Sequence, residues 1–283
     1  MASFTNFATL SYNGGTTNSN IVTGEILEAL TAVKTAVSAN YSAGDRITYA
    51  LSLVNTGTAA ITDYTVTDNL GGYTVGANTV YPLAYNARTV RYYINGVLQA
   101  APTVTAGPPL TVTGLTVPAG GSAVLIYETT ATPVAPLATG SSITNTATIT
   151  GGGLTTPITA QATVETANSA DLTISKALSP TTVTENGQIT YTFVISNTGN
   201  TEATAADNVV VTDTFAPILR NIAVTYNGTA WTEGTNYTYN AATGVFTTLA
   251  GQITVPAATF TQNTDGTFTV TPGTTTLVIT GTV

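Results

Sequence analysis

The chain has 283 residues, of which 7% are charged against roughly 25% in ordinary domains, and its net charge is −8. The negative balance and the lack of a basic patch exclude a nucleic-acid-binding protein. Cys and His are both absent, which excludes disulfides, the Ser-His-Asp triad and most transition-metal sites. No run of about 18 apolar residues occurs, so no membrane-spanning helix is predicted.

The first residues show neither the basic nor the apolar segment of a secretory signal. The low charge and the abundance of Thr, Ala, Gly, Asn and Val are nevertheless typical of bacterial surface proteins. We therefore expect an extracellular location, on an appendage of a bacterial cell or spore. The chain would reach it after processing, or by assembly inside a mother cell.

The opening stretch SFTNFATLSY (Ser3–Tyr12) has the pattern of a β-strand. The segment GEILEALTAVKTA (Gly24–Ala36) follows it and contains good helix formers, so it could hold a short helix. From about Ala32 onward an internal repeat favours a strand instead.

The repeat relates two halves of the chain. GDRITYALSLVNTG (Gly44–Gly57) matches NGQITYTFVISNTG (Asn186–Gly199), with equivalent residues 142 positions apart. Further on, VPAGGSAVLIYETT (Val117–Thr130) matches VTPGTTTLVITGTV (Val270–Val283). The chain therefore contains two copies of one structural unit.

Two charged residue types recur within this repeat. The motif TVTDN matches VVTDT, so Asp68 corresponds to Asp213. Lys34 and Lys176 are the only lysines of the chain and are again 142 positions apart. A lysine that recurs in register while no other is present indicates a shared role.

Short runs rich in Thr, Val, Ile and Tyr alternate with the turn signals NTG, NG and DG in both copies. This pattern is typical of an antiparallel β-sandwich. We predict an all-β fold of two tandem immunoglobulin-like antiparallel β-sandwiches and an N-terminal donor-strand segment. That segment covers residues 1–29, the complete domain 1 covers 30–168, and domain 2 (169–283) is an acceptor that lacks its final strand.

The start of the chain carries a version of the strand that domain 2 lacks. SFTNFATLSY matches SITNTATITG (Ser142–Gly151) of domain 1, so Asn6 corresponds to Asn145. An unpaired sheet edge can accept a strand from another molecule, and a head-to-tail contact of this kind builds an open filament. The predicted interface residues of the donor alternate along the strand: Phe4, Asn6, Ala8 and Leu10. Two alternatives remain open, namely a tail that packs on its own chain and a sequence cut without regard to function.

Strand alternation also places polar residues on apolar rows. Asn145, Lys176 and Asp213 are each expected to point toward a core, where an unpaired charge is unfavourable. The row of Lys34 is only weakly apolar. A buried Lys–Asp ion pair, with the Asn bonded to the backbone, would explain the same pattern.

The series ISK, YTFVISNTGN and VTDT, together with ITYALSLVNTG, VTDN and ITNTATI, resembles the "domain of unknown function eleven" conserved repeat of bacterial surface proteins. Related sandwich domains of Gram-positive pilins and adhesins carry self-formed isopeptide bonds between a Lys and an Asn or Asp, assisted by an acidic residue. The resemblance implies an intramolecular and an intermolecular crosslink, each with an acidic catalyst: Lys34–Asn145 with Asp68, and Lys176–Asn6 with Asp213. Glu128 is a poorer catalyst candidate, because it aligns with Gly281.

These features predict a structural subunit of a self-assembling surface fibre, with further copies of the chain as head-to-tail partners and a surface anchor protein as a possible partner. The alternative is an adhesin or glycan-binding stalk module, with tyrosine clusters at Tyr92–Tyr93 and Tyr237–Tyr239 as candidate binding surfaces. An enzyme acting on a separate substrate is not expected, and no cofactor or metal site is predicted.

Overall fold

The computed structural model describes residues 2–26 and 29–283. Strands dominate these residues, a 3₁₀ helix spans Ala205–Asp207, and α-helices are absent from the described part. The predicted all-β class with antiparallel sheets is confirmed. Within the same two ranges, no helix is long and apolar enough to cross a membrane.

The N-terminal tail, residues 2–26, is an interrupted β-hairpin. Its strands are β1 (Ala2–Asn6), β2 (Thr9–Tyr12), β3 (Gly15–Asn18) and β4 (Val22–Ile26). β1 pairs with β4 and β2 pairs with β3, both antiparallel. The stretch predicted as one strand is therefore two, because Phe7 and Ala8 on one side of the hairpin face three residues on the other.

The helix considered for Gly24–Ala36 is not found in the described residues of that segment, and Leu27 and Glu28 lie outside them. β4 ends at Ile26 and the next strand begins at Leu30. That strand pairs along its whole length with a neighbouring strand, and Leu30 is buried. Sheet pairing and burial therefore override the helix propensity of the local sequence.

Two compact units follow from the contacts of the chain. The first comprises the residues up to Ala135 and Ser142–Glu165, and the second comprises Pro136–Ser141 and Thr166–Val283. We call them unit 1 and unit 2.

Unit 1 consists of two six-stranded antiparallel sheets besides the tail. Its strands are β5 (Leu30–Ala36), β6 (Asn40–Tyr41), β7 (Arg46–Asn55), β8 (Ile61–Asp68), β9 (Tyr73–Val75), β10 (Asn78–Val80), β11 (Leu83–Tyr85), β12 (Arg91–Ile94), β13 (Val97–Leu98), β14 (Thr103–Thr105), β15 (Leu110–Val117), β16 (Ser122–Ala131), β17 (Ser142–Gly151) and β18 (Ile158–Thr166). One sheet has the order β13-β12-β16-β7-β5, with β11 also on β16, and the other has the order β14-β15-β8-β17-β18-β6. A separate β9–β10 hairpin completes the unit.

Unit 2 has fewer strands. They are β19 (Leu172–Ser179), β20 (Gln188–Asn197), β21 (Thr212–Thr214), β22 (Arg220–Tyr226), β23 (Thr229–Trp231), β24 (Tyr237–Asn240), β25 (Val245–Thr248), β26 (Thr259–Gln262), β27 (Phe268–Thr271) and β28 (Gly273–Thr282). One sheet has the order β19-β20-β28-β22-β23, and the other has the order β21-β25-β24. β26 and β27 form a hairpin.

The core of each unit follows from strand alternation. Every second residue of β16 and of the central part of β17 is buried. In unit 2 the buried cluster includes Phe193, Phe246 and Leu277. Side chains from two sheets meet in each core, which brings polar residues of different strands together.

The pairing of the strands corrects one alignment made from sequence. Glu128 pairs with Thr48 in unit 1, and the residue 142 positions after Thr48, Thr190, pairs with Thr280. The counterpart of Glu128 is therefore Thr280 and not Gly281. Equivalent residues of β16 and β28 are therefore separated along the chain by one position fewer than the sequence alignment implied.

Candidate functional site

A buried ion pair connects the two sheets of unit 1. Lys34 lies on β5 and Asp68 ends β8, and the distance from Lys34 Nζ to Asp68 Oδ2 is 2.5 Å. Their side chains are 0% and 1% exposed. Burial lowers the pKa of the Lys34 amine to about 8, although the charge of Asp68 and its hydrogen bond act in the opposite direction. The lysine therefore releases its proton more readily than an exposed lysine does.

Asp68 has further partners that fix its orientation. The Tyr127 hydroxyl donates a hydrogen bond to Oδ2, the same oxygen that accepts from Lys34. The backbone N–H of Leu70 donates to Oδ1 at 2.9 Å. Both carboxylate oxygens are thus held, and the carboxyl group is placed to exchange a proton with the amine.

Asn145 belongs to the same buried cluster. It lies on β17, two residues from Ala147, which is the direct partner of Asp68 in the sheet. Alternation therefore directs Asn145 to the face on which Asp68 lies. The residue is fully buried, and neither polar atom of its side-chain amide has a hydrogen-bond partner among the described residues.

The core of unit 1 thus contains both an unsatisfied buried amide and a lysine of lowered pKa. Leaving buried polar atoms unpaired costs about 1–3 kcal/mol per group. A neutral amine is a nucleophile, and the amide carbon is an electrophile that a neighbouring acid can activate. The arrangement of Lys34, Asp68 and Asn145 is thus suited to forming an amide between lysine and asparagine with loss of ammonia.

Unit 2 contains the equivalent ion pair, but there it is partly exposed to solvent. Lys176 on β19 lies 2.5 Å from Asp213 on β21, between Nζ and Oδ2, but the side chains are 40% and 18% exposed. Lys176 Nζ lies 4.5 Å from the centre of the Tyr191 ring and 5.5 Å from that of Phe215. The expected burial of the lysine is therefore wrong for this structure, although the predicted pairing partner is present.

The exposure of Lys176 and Asp213 has a clear structural cause. In unit 1, β8 lies between β15 and β17, whereas β21 pairs on one side with β25 and no described strand covers its other edge. On β19, Ile174 is 55% exposed, while its counterpart on β5, Ala32, is partly buried. Among the described strands, β21 is therefore an edge strand, whereas its counterpart β8 lies inside its sheet.

The predicted donor residues are exposed. Phe4 and Leu10 are more than half exposed, and Asn6 and Ala8 are exposed too. Asn6 pairs with Val22 across the tail hairpin, as Asn145 pairs with Ala162 across the β17–β18 hairpin. The two asparagines therefore occupy equivalent hairpin positions.

Two tyrosines of unit 1 were not identified as site residues from the sequence. Tyr49 on β7 and Tyr127 on β16 are direct partners in the sheet, and their rings stack at 5.8 Å. Lys34 Nζ lies 4.8 Å from the centre of the Tyr49 ring. Their inward-facing positions could have been found from alternation along GDRITYALSLVNTG and SAVLIYETT, but their contact with Asp68 depends on the facing sheet.

The tyrosine clusters considered for glycan binding have structural contacts. Tyr92 is buried and its hydroxyl bonds to the backbone carbonyl of Thr116. Tyr237 packs against Phe246, with ring centres 5.2 Å apart. Groups of acidic residues able to hold a metal ion are not found within the described ranges.

No family model matches the chain, and no curated protein matches it. Among solved structures, the chain is similar to BcpA, the major pilin subunit of Bacillus cereus, with 14% identity over 96% of this chain and 73% of that chain and a TM-score of 0.36. It is similar to the pilus backbone RrgB from Streptococcus pneumoniae, with 12% identity over 86% of this chain and 55% of that chain and a TM-score of 0.36. The N-terminal domain of the Streptococcus gordonii adhesin Sgo0707 matches with 14% identity over 47% of this chain and a TM-score of 0.35, and the match spans 31% of that chain.

Proposed function

We propose that this chain is the structural subunit of a self-assembling fibre on a bacterial cell or spore surface. The tail hairpin of one subunit fills the open edge of unit 2 in the next subunit, head to tail. The observation that carries the proposal is the coexistence of an exposed hairpin in the tail and an unpaired edge of β21 in unit 2.

The registers of the two hairpins support the proposal. In the tail, Ser3 pairs with Glu25, and in unit 1, Ser142 pairs with Glu165. The tail hairpin thus repeats the strand pairing that completes unit 1, including the position of its asparagine. Insertion would add two strands at once, with the second strand covering the edge of the first.

The exposed apolar surface supplies the driving force. The tail exposes large apolar side chains on most of its length, and burying apolar surface yields roughly 25 cal/mol per Å². Phe4, Phe7, Leu10 and Tyr12 are each more than half exposed. Strand addition also satisfies the unpaired backbone groups along the edge of β21.

The repeat predicts how the inserted strand aligns. Ala8 corresponds to Ala147, the partner of Asp68, so Ala8 would lie opposite Asp213. Asn6 would then take the place of Asn145, inside the unit and near Lys176. The interruption at Phe7 and Ala8 in the free tail would straighten when the strand pairs with β21.

A covalent lock completes the proposal. Lys176 Nζ attacks Cγ of Asn6 from the neighbouring subunit, a new amide forms, and Nδ2 leaves as ammonia, with Asp213 transferring the proton. Lys34 and Asn145 react in the same way inside unit 1. Atoms balance with one ammonia lost per bond and without an oxidant or cofactor.

Gel electrophoresis after boiling in denaturant and detergent tests both parts of the proposal. Wild-type protein should give a ladder of multimers, and Asn6→Ala should give monomers on the gel although fibres remain visible by electron microscopy. Asn20→Ala, which changes an exposed asparagine of the same tail outside its strands, is the matched control and should keep the ladder. A ladder that persists in Asn6→Ala would contradict the crosslink, and a wild-type sample without fibres would contradict the polymer.

A further inference from the structure

Three polar atoms in unit 1 are buried together without partners. They are the hydroxyl oxygen of Tyr49 and the two amide atoms of Asn145, none of which has a hydrogen bond within the described residues. Both residues are fully buried. A buried hydroxyl without a partner is unfavourable and is uncommon in folded proteins, so its presence needs a reason.

The Tyr49 hydroxyl is within interaction range of the Asn145 amide, although the two groups do not reach hydrogen-bond geometry. Burial raises the pKa of the Tyr49 hydroxyl, the Asp68 charge raises it further, and the Asn145 amide acts in the opposite direction. The ring of the same tyrosine is 4.8 Å from Lys34 Nζ. Tyr49 therefore borders both the amine and the amide that would react.

Tyr127 also borders the amide, but its hydroxyl is already used. It donates to Asp68 Oδ2, and burial keeps its pKa well above the ordinary value, so it stays protonated. Its contact orients the carboxyl group. Of the two stacked tyrosines, Tyr49 alone has a free O–H donor in the described structure.

We propose that the Tyr49 hydroxyl stabilises the oxyanion that forms on Asn145 during crosslinking, and that Tyr191 does so in unit 2. This inference rests on the proposed function. It assigns to the reaction a second hydrogen-bond donor in addition to the protonated Asp68.

Lys34 passes a proton to Asp68, and the lone pair of Nζ then attacks Cγ of Asn145, whose C=O electron pair moves to Oδ1. Tyr49 O–H donates to that oxyanion. Asp68 returns the first proton to Nδ2 and accepts the second proton of Nζ, the C–N bond breaks, ammonia leaves, and the carbonyl re-forms as the new amide, with Asp68 left protonated.

The repeat supports the choice of tyrosine. Tyr191 lies 142 positions after Tyr49, and its ring is 4.5 Å from Lys176 Nζ, as Tyr49 is near Lys34. In contrast, Ile279 pairs with Tyr191 in the position of Tyr127. The tyrosine next to the lysine recurs in both units, and the tyrosine that orients the carboxyl group does not.

Tyr49→Phe in the full chain tests the proposal, because it keeps the ring and removes only the hydroxyl. After cell-free synthesis, samples are quenched over time, digested, and analysed by mass spectrometry for the peptide that joins Lys34 to Asn145. Loss of one oxyanion donor should slow formation of this bond about 100-fold. Tyr64→Phe is the matched control, since Tyr64 also has a buried hydroxyl without a described partner, and it should react at the wild-type rate.

Tyr191→Phe provides a second, independent measurement. It should slow growth of the boiling-resistant ladder about 100-fold and leave the Lys34–Asn145 bond unaffected, while Tyr49→Phe should do the reverse. If both variants react at the wild-type rate, the hydroxyls only fill space and the inference is wrong. If the wild-type chain forms no bond at all, the proposed covalent lock itself fails, which is a different result.

Discussion

Unit 1 and unit 2 contain the same lysine–aspartate pair at the same distance, yet the pair in unit 1 is buried and the pair in unit 2 is partly exposed to solvent. Lys34 and Asp68 are covered by β17 and its partner strand, whereas Lys176 and Asp213 lie at an uncovered edge. The local residues are equivalent, so the covering hairpin makes the difference. A donor hairpin supplied by another copy would bury Lys176 and Asp213 as Lys34 and Asp68 are buried in unit 1.

The largest effect is expected from removing the donor. Deleting residues 2–12 removes β1 and β2, so the edge of β21 in unit 2 should stay unpaired and fibres should be abolished in electron micrographs. Unit 1 does not use these strands in its sheets, so its Lys34–Asn145 bond should still form. Fibres of normal yield from the shortened chain would show that unit 2 is not completed by the tail.

The two lysines should differ strongly in their effect on stability. In the Asn145→Ala background, where the amine stays free, Lys34→Met leaves Asp68 buried without its partner, which should cost about 3–5 kcal/mol in the free energy of unfolding of unit 1. Lys176→Met in unpolymerised protein should cost less than about 1 kcal/mol, because that pair is partly exposed. Denaturant titration of both variants tests the contrast, and equal losses would contradict the difference in burial.

Stability should depend on pH through Lys34. In Asn145→Ala, where the amine stays free, the folded amine loses its proton near pH 8 and the unfolded one near 10.5. Between pH 8 and 10.0 the unfolded chain binds more protons, so unfolding free energy should rise with pH. Above 10.0 the buried tyrosines, whose pKa values are raised, should reverse the trend.

Thermal denaturation across this pH range measures the effect. The double variant Lys34→Met with Asn145→Ala should lack the rise, since the titrating amine is gone. A rise of the same size in the double variant would assign it to another group.

The smallest effect is expected at Glu128. Its contact with Arg46 is 3.5 Å long and lies at the surface, with side chains 36% and 75% exposed. Glu128→Gln should change stability by less than about 1 kcal/mol and leave both crosslinks intact. Slower crosslinking in this variant would show that Glu128 takes part in the reaction.

The repeat in the sequence was sufficient to predict the strands and the charged pairs, because alternation and register are local properties. The sequence grouped Lys34 with Asp68 and Lys176 with Asp213 because each pair recurs at nearly the same separation, and the structure places the members of each pair in contact. It missed the break in the tail strand, where two residues face three, because the register of a hairpin depends on both of its strands. It also misaligned Glu128 by one residue for the same reason.

The amino-acid sequence alone determined the all-β class, the two units, and the positions of the lysines and aspartates along their strands. Only the tertiary structure decided which pair is buried, since burial depends on the hairpin that covers the sheet edge and not on the residues of the pair. It also decided which tyrosine has a free hydroxyl, because the contact between Tyr127 and Asp68 crosses from one sheet to the other. Strand periodicity specifies the face of a sheet, but the facing sheet supplies the partner.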